Sequence, residues 1–129
     1  MYLLLVVIFI LVLVSGMADG FNQAYLFHFS SVQKRFPNLK PNEDSWKNKY
    51  KKGDPKQGVK FFGSTTFLVW LTDIHHLTRT INRWSSLLAL VLLAPFFLNI
   101  FSIQTLIYIL SYYIIWTSGF HIIYTFYFK

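Results

Sequence analysis

A chain of 129 residues holds one domain at most, and 54% hydrophobic content with 20% aromatic residues is richer than a soluble domain of this size needs. The absence of cysteine excludes disulfides, thiolate nucleophiles, iron–sulfur clusters and Cys-type zinc sites, which leaves His, Asp and Glu as the only metal ligands. The formal charge of +7 is a local property, because nine of the twelve Lys and Arg residues lie between Lys34 and Lys60.

Residues 1–14, MYLLLVVIFILVLV, are apolar apart from the Tyr2 hydroxyl. With the small residues Ser15 to Gly20 they approach the roughly twenty that cross a bilayer, and they predict a first transmembrane helix. A cleaved signal peptide is the competing reading, with Val14-Ser15-Gly16 as a tolerable cleavage site. Against it, no Lys or Arg precedes the apolar run and the loop that follows is strongly basic. Gly16 and Gly20 stand in a G-x-x-x-G spacing that lets a neighbouring helix approach closely. Asp19 lies between them, followed by Asn22 and Gln23, so this end of the helix is expected to meet water or polar side chains. The segment Phe21 to Phe29 either prolongs the helix or lies along the membrane interface. On a continuous helix His28 falls about 180° from Asp19.

From Lys34 to Lys60 the composition changes to Lys, Asn, Pro and Gly, with turn signals at Phe36-Pro37-Asn38, Lys40-Pro41-Asn42 and Gly53-Asp54-Pro55. This is the expected aqueous loop, placed on the cytoplasmic side by its nine basic residues against Glu43, Asp44 and Asp54. The run GDPKQGVK (53–60) does not make a nucleotide site: Val59 stands where Lys should follow the second glycine, and no Ser or Thr follows Lys60. Trp46 and Tyr50 among lysines suit interfacial anchoring better than nucleic-acid stacking in a chain with membrane spans.

The stretch 64–84, STTFLVWLTDIHHLTRTINRW, predicts an amphipathic helix with Ser64 as its N-cap. At 100° per residue, Phe67, Trp70, Ile74, Leu77, Ile81 and Trp84 share an apolar stripe, opposite Thr65, Thr72, Asp73, His76, Arg79, Thr80 and Arg83. After Arg83 no formally charged side chain appears until Lys129, an interval of 45 residues that suffices for two crossings. A break near Asn99 to Gln104 gives spans over roughly 84–101 and 105–127, the first kinked by Pro95. The second carries Gln104, Ser111, Ser118, His121 and Thr125 in a polar seam suited to bonding between helices.

The expected fold is therefore an all-α membrane protein with about three transmembrane helices and one amphipathic interfacial helix. Its parts are 1–33 (first span and interfacial extension), 34–63 (basic cytoplasmic loop), 64–83 (interfacial helix) and 84–129 (transmembrane hairpin). An outside N-terminus and a cytoplasmic C-terminus put every Lys and Arg inside, as in a multi-pass protein of a bacterial inner membrane.

Asp73 and His76, three residues apart, form the candidate acid and base pair. Asp19, His28, Asp73 and His76 are the candidate ligands of a divalent metal; the two-His zincin spacing is absent, because His75 and His76 are adjacent. Arg79 and Arg83, with Lys51, Lys52 and Lys60, form a candidate cradle for a lipid phosphate. Gly16, Gly20, Ser111, Ser118 and His121 are the candidate helix-packing positions, facing another copy or a membrane partner. WKNKY (46–50) followed by GDPKQGVKFFGSTTFLVWLTDIHHL (53–77) resembles a pattern in small, functionally unassigned bacterial integral membrane proteins. The resemblance implies a bacterial membrane location and no activity.

The expected function is non-enzymatic: a basic cytoplasmic face that binds anionic lipid headgroups or a partner protein, with no nucleic acid or nucleotide ligand. A membrane-interfacial enzyme acting on a lipid or polyprenyl phosphate is the alternative, and a small holin-like pore is the third reading.

Overall fold

The computed structural model describes residues 2–39, 42–96 and 102–128, with the backbone alone at 42–45. Among these residues the regular elements are helical: α1 (Tyr2–Phe27), α2 (Phe29–Arg35), α3 (Ile74–Leu93) and α4 (Ile103–Ile123), the last continued by a π-turn over Tyr124–Phe128. Two stretches, Tyr2–Phe27 and Ile103–Phe128, are long and apolar enough to cross a membrane. In such a stretch the backbone must satisfy its own polar groups, so even the Val- and Ile-rich run of α1 is held as helix.

Helix α1 is the centre of the molecule. Its Ile8 and Val12 bury against Ala89 and Leu93 of α3, with Tyr108, Tyr112 and Ile115 of α4 packed around them. At its other end, Ala24 and Tyr25 form a second core with Val32 and Phe128, covered by Ile74, Ile123 and Tyr124. These contacts make α3 antiparallel to α1 and α4 parallel to it. The described parts of the segment 36–73 and the end of α4 consequently lie at the same end of the bundle. Lys129 lies outside the described residues.

The α1 and α4 backbones meet at glycines. Gly16 faces the carbonyl of Trp116, Gly20 that of Phe120, and Gly119 of α4 faces that of Leu13, so a Cβ at any of the three would run into backbone. The close approach that the G-x-x-x-G spacing suggested is made inside the chain.

Three boundaries differ from the sequence-based expectation. The helix expected over 64–83 starts at Ile74 and runs on without interruption to Leu93, so its polar half and the apolar half assigned to the next span are one element. Asp73 marks the start: its carboxylate accepts the backbone N–H of His76 at 2.9 Å and caps α3. Ser64 is instead buried and donates to the carbonyl of Lys49 at 2.8 Å, while residues 64–68 form turns after Gly63 at φ 80°. Thr65, Thr66, Val69 and Thr72, all β-branched, weaken any helix there. The expected apolar stripe is accordingly split, with Phe67 packed edge-on against Phe62.

Pro95 falls just beyond the end of α3, and residues 97–101, over which a kinked span was expected to continue, lie outside the described residues. The α-helix stops at Leu93 and Ala94–Phe96 form a 3-10 turn, because a helix-interior proline removes a donor and clashes with the carbonyl four residues back. The break expected at Asn99 to Gln104 falls mainly outside the described residues; α4 begins at Ile103 with Ser102 accepting the Thr105 N–H at 3.1 Å. The chain also bends at His28, whose φ of −131° and ψ of 41° separate α1 from α2.

The basic segment is folded. Lys51 N–H bonds to Gly58 O at 3.0 Å and Lys60 N–H to Lys49 O at 2.9 Å, closing a short hairpin around an isolated bridge between Tyr50 and Val59. Asp54 caps the turn at its tip by accepting the Lys56 N–H at 2.9 Å. The turn expected at Lys40-Pro41-Asn42 and the side chains of Glu43 and Asp44 lie outside the described residues.

A candidate binding cleft between the first and third helices

Towards the start of α3 the α1–α3 interface is polar, whereas α1 meets α4 through glycines and apolar side chains. Ser15, Asp19 and Asn22 recur every three to four residues on α1 and so share one face, and His75, Arg79, Asn82 and Ser86 do the same on α3. Antiparallel packing zips the two rows together. Ser15 donates to Asn82 Oδ1 at 2.7 Å, and Ser86, 2.6 Å away, then donates to Ser15. Asn82 Nδ2 in turn donates to Asp19 Oδ1 at 3.1 Å. The donors point in one direction, from the buried Ser15 towards the carboxylate, so each bond polarises the next.

One turn further along, Asn22 Oδ1 accepts from His75 Nδ1 at 2.7 Å and from Thr78 Oγ1 at 3.4 Å. With Nδ1 donating, the neutral imidazole carries its lone pair on Nε2. His75 is held below the ordinary histidine pKa, first by burial and then by His76 and Arg79, against an opposing pull from Asp73.

Beyond this network the helices part, leaving an open cleft of about 370 Å³. Asp19, Asn22 and Asn82 line it from the network side, His75 and Gln23 from its flanks, and Arg79 and Arg83 from α3, where both are exposed. Among the described residues, nothing bonds to Asp19 Oδ2 and neither guanidinium is paired. The cleft therefore presents one carboxylate oxygen and two guanidiniums, unneutralised by one another.

No family model, curated protein or solved structure matches the chain.

The residues singled out in the sequence take several separate places. Asp73 and His76 are together: His76 Nδ1 lies 2.8 Å from Asp73 Oδ2, and the Asp73 side chain is only 4% exposed. With Oδ1 on the His76 N–H and Thr72 Oγ1 at 3.3 Å from Oδ2, the carboxylate is occupied as a cap. His28 bonds to Tyr124 Oη at 2.9 Å and ties the α1–α2 bend to the end of α4. Asp19 faces Asn82, so Asp19 and His28 stand apart from the Asp73–His76 pair, and among the described residues no three His, Asp or Glu side chains are grouped to hold an ion.

Arg79 and Arg83 share the cleft, whereas Lys51, Lys52 and Lys60 are exposed on the hairpin and do not line it. The polar seam of α4 bonds within its own helix, Ser118 to Ile114 O at 2.8 Å and His121 to Thr125 at 2.9 Å, and Ser111, Ser118 and His121 are exposed. His75, Asn82, Ser15 and Ser86 are the site residues that sequence reasoning missed. Their signal was present as polar periodicity on each helix, but the pairing of the two rows spans more than fifty residues and depends on the direction of α3.

Proposed function

We propose that the chain is a small integral membrane protein with three crossings, whose polar end holds lipid headgroups at one face of a bacterial inner membrane. The observation that carries this reading is a belt of exposed large hydrophobics on all three long helices. Leu3, Val6 and Ile10 belong to it on α1, Leu87 and Val91 on α3, and Ile107 and Leu110 on α4. A water-soluble monomer rarely exposes so continuous an apolar surface.

Helix α3 enters as the third crossing because its apolar half, from Trp84 onward, lies beside Ile8 and Val12 of α1. A bilayer that receives α1 receives that half as well. Trp84, exposed next to Arg83, suits the interface, where an indole sits at headgroup level. That level coincides with the cleft and its two guanidiniums. Exposed Lys51, Lys52, Lys56 and Lys60 on the hairpin add attraction of about 1 kcal/mol each for an anionic surface. Phe62, 85% exposed beside Lys60, supplies an apolar contact with it. The positive-inside rule then assigns this end to the cytoplasm.

Two measurements test the reading. Membranes washed with alkaline carbonate retain the protein in the pellet, and its release to the supernatant would refute the integral location. Reconstituted in phosphatidylcholine bilayers containing phosphatidylglycerol, the protein enriches the anionic lipid around itself at low salt and loses that enrichment at high salt. Equal enrichment of both lipids at both salt concentrations would refute headgroup attraction.

A further inference from the structure

The cleft between α1 and α3 contains opposite charges that do not neutralise one another. Asp19 Oδ1 is held by Asn82, leaving Oδ2 without a partner among the described residues, while Arg79 and Arg83 line the same opening one helical turn apart. A simple anion would meet the carboxylate, and a simple cation would meet the guanidiniums. A ligand carrying both charges, separated by a short linker, meets neither obstacle. We propose that the cleft binds a phosphodiester joined to a primary ammonium, the phosphoethanolamine group, with Arg79 and Arg83 on the phosphate and Asp19 on the ammonium. The source of that group as a membrane lipid rests on the integral-membrane reading above; the cleft chemistry does not.

Primary rather than quaternary ammonium follows from the acceptors. Asp19 Oδ2 and, with Nδ1 committed to Asn22, the His75 Nε2 lone pair are acceptors on two residues that line the cleft, and a three-donor ammonium matches them. A trimethylammonium has no donor for them. It is recognised instead by aromatic cages, and no Trp, Tyr or Phe lines this cleft. The volume of about 370 Å³ lies at the lower end of the range for small-molecule sites, as a headgroup requires.

The test uses the full chain in mild detergent, titrated with the short-chain dihexanoyl forms of phosphatidylethanolamine, phosphatidylcholine and phosphatidylglycerol, and separately with glycerophosphoethanolamine. Phosphatidylethanolamine is expected to bind on the order of tenfold more tightly than phosphatidylcholine, the ratio that one charge-assisted hydrogen bond provides. Asp19→Asn, which keeps shape and still accepts from Asn82, is expected to abolish that ratio. Arg79→Gln with Arg83→Gln is expected to weaken all three lipids together. Binding of glycerophosphoethanolamine as tight as that of the lipid supports the proposal with a soluble source, and binding of the acylated form alone supports it with a lipid source.

Equal affinity for ethanolamine and choline headgroups, a preference unchanged in Asp19→Asn, or phosphatidylglycerol binding tighter than that of phosphatidylethanolamine and lost in Arg79→Gln with Arg83→Gln would each overturn it. The carbonate wash reports on membrane integration alone, so the two readings fail separately. Retention of the wild-type helical circular dichroism in each variant distinguishes a lost ligand contact from a lost fold.

Discussion

With one carboxylate oxygen on the backbone N–H of His76 and the other on its imidazole, Asp73 closes the first turn of α3 and sets where the helix begins. Asp73→Ala is expected to lower stability by about 1 kcal/mol, with Asp73→Asn losing much less because asparagine also caps; thermal unfolding in detergent measures both. His75 gives the complementary pH effect. Its pKa is depressed by burial, then by His76 and Arg79, so above the unfolded value of about 6.5 the His75 side chain is neutral in the folded and unfolded chain alike and nothing is lost. As pH falls, the unfolded chain takes up the proton first, and stability declines through the folded pKa. His75→Gln should flatten this decline in detergent unfolding measured across that window; an unchanged slope would assign it to other groups. Asp73 and His76 were legible from the sequence as a pair, but their role was not. The pair reads as chemistry if the helix starts at Ser64 and as a cap if it starts at Ile74, and a ten-residue shift in the start is decided by β-branched threonines and the turn after Gly63.

At the scale of elements, α1 presents two unlike faces. Towards α4 it offers glycine and accepts only close backbone packing, so Gly16→Leu or Gly119→Leu must separate the helices and is expected to cost about 1–3 kcal/mol or more. Ser118→Leu, on the exposed side of α4, should be near neutral. Thermal midpoints of the three variants in one detergent check the contrast. Towards α3 the same helix offers a hydrogen-bonded row. Of these two faces the glycine spacing was readable at once, because a small-residue motif has a single structural use within a helix pair. The polar row was half readable. Asp19 and Asn22 indicated a polar neighbour, but which helix supplied it depended on α3 running antiparallel with Asn82 level with Ser15, and a lone sequence does not encode that register locally.

For the whole molecule, the helical class and the two long apolar stretches follow directly from composition and run length. The course of the chain between them is set by tertiary contacts: α2 folds back at His28, and the basic segment closes into a hairpin pinned by Ser64. Because the chain contains no cysteine, single replacements can report on sidedness without background removal. Lys56→Cys on the hairpin and Thr125→Cys at the end of α4 are expected to react with an impermeant maleimide from one side of the membrane, and Ser102→Cys from the other. Labelling of Lys56→Cys and Ser102→Cys from the same side would contradict the antiparallel course of α3 across a bilayer.

The central position of α1 also bears on how such a chain is made. Helices α3 and α4 find most of their neighbours in α1 and meet one another chiefly near Phe96 and Tyr108. The helix that both require is also the one that leaves the ribosome before them. When α3 emerges, partners for Asn82 and Ser86 are already in place, so its polar row need not wait unpaired. α4, which has only a smooth glycine groove to find, can dock last without disturbing that seam. The layout thus lets the bundle assemble in the order of the chain, each later helix docking on one already made.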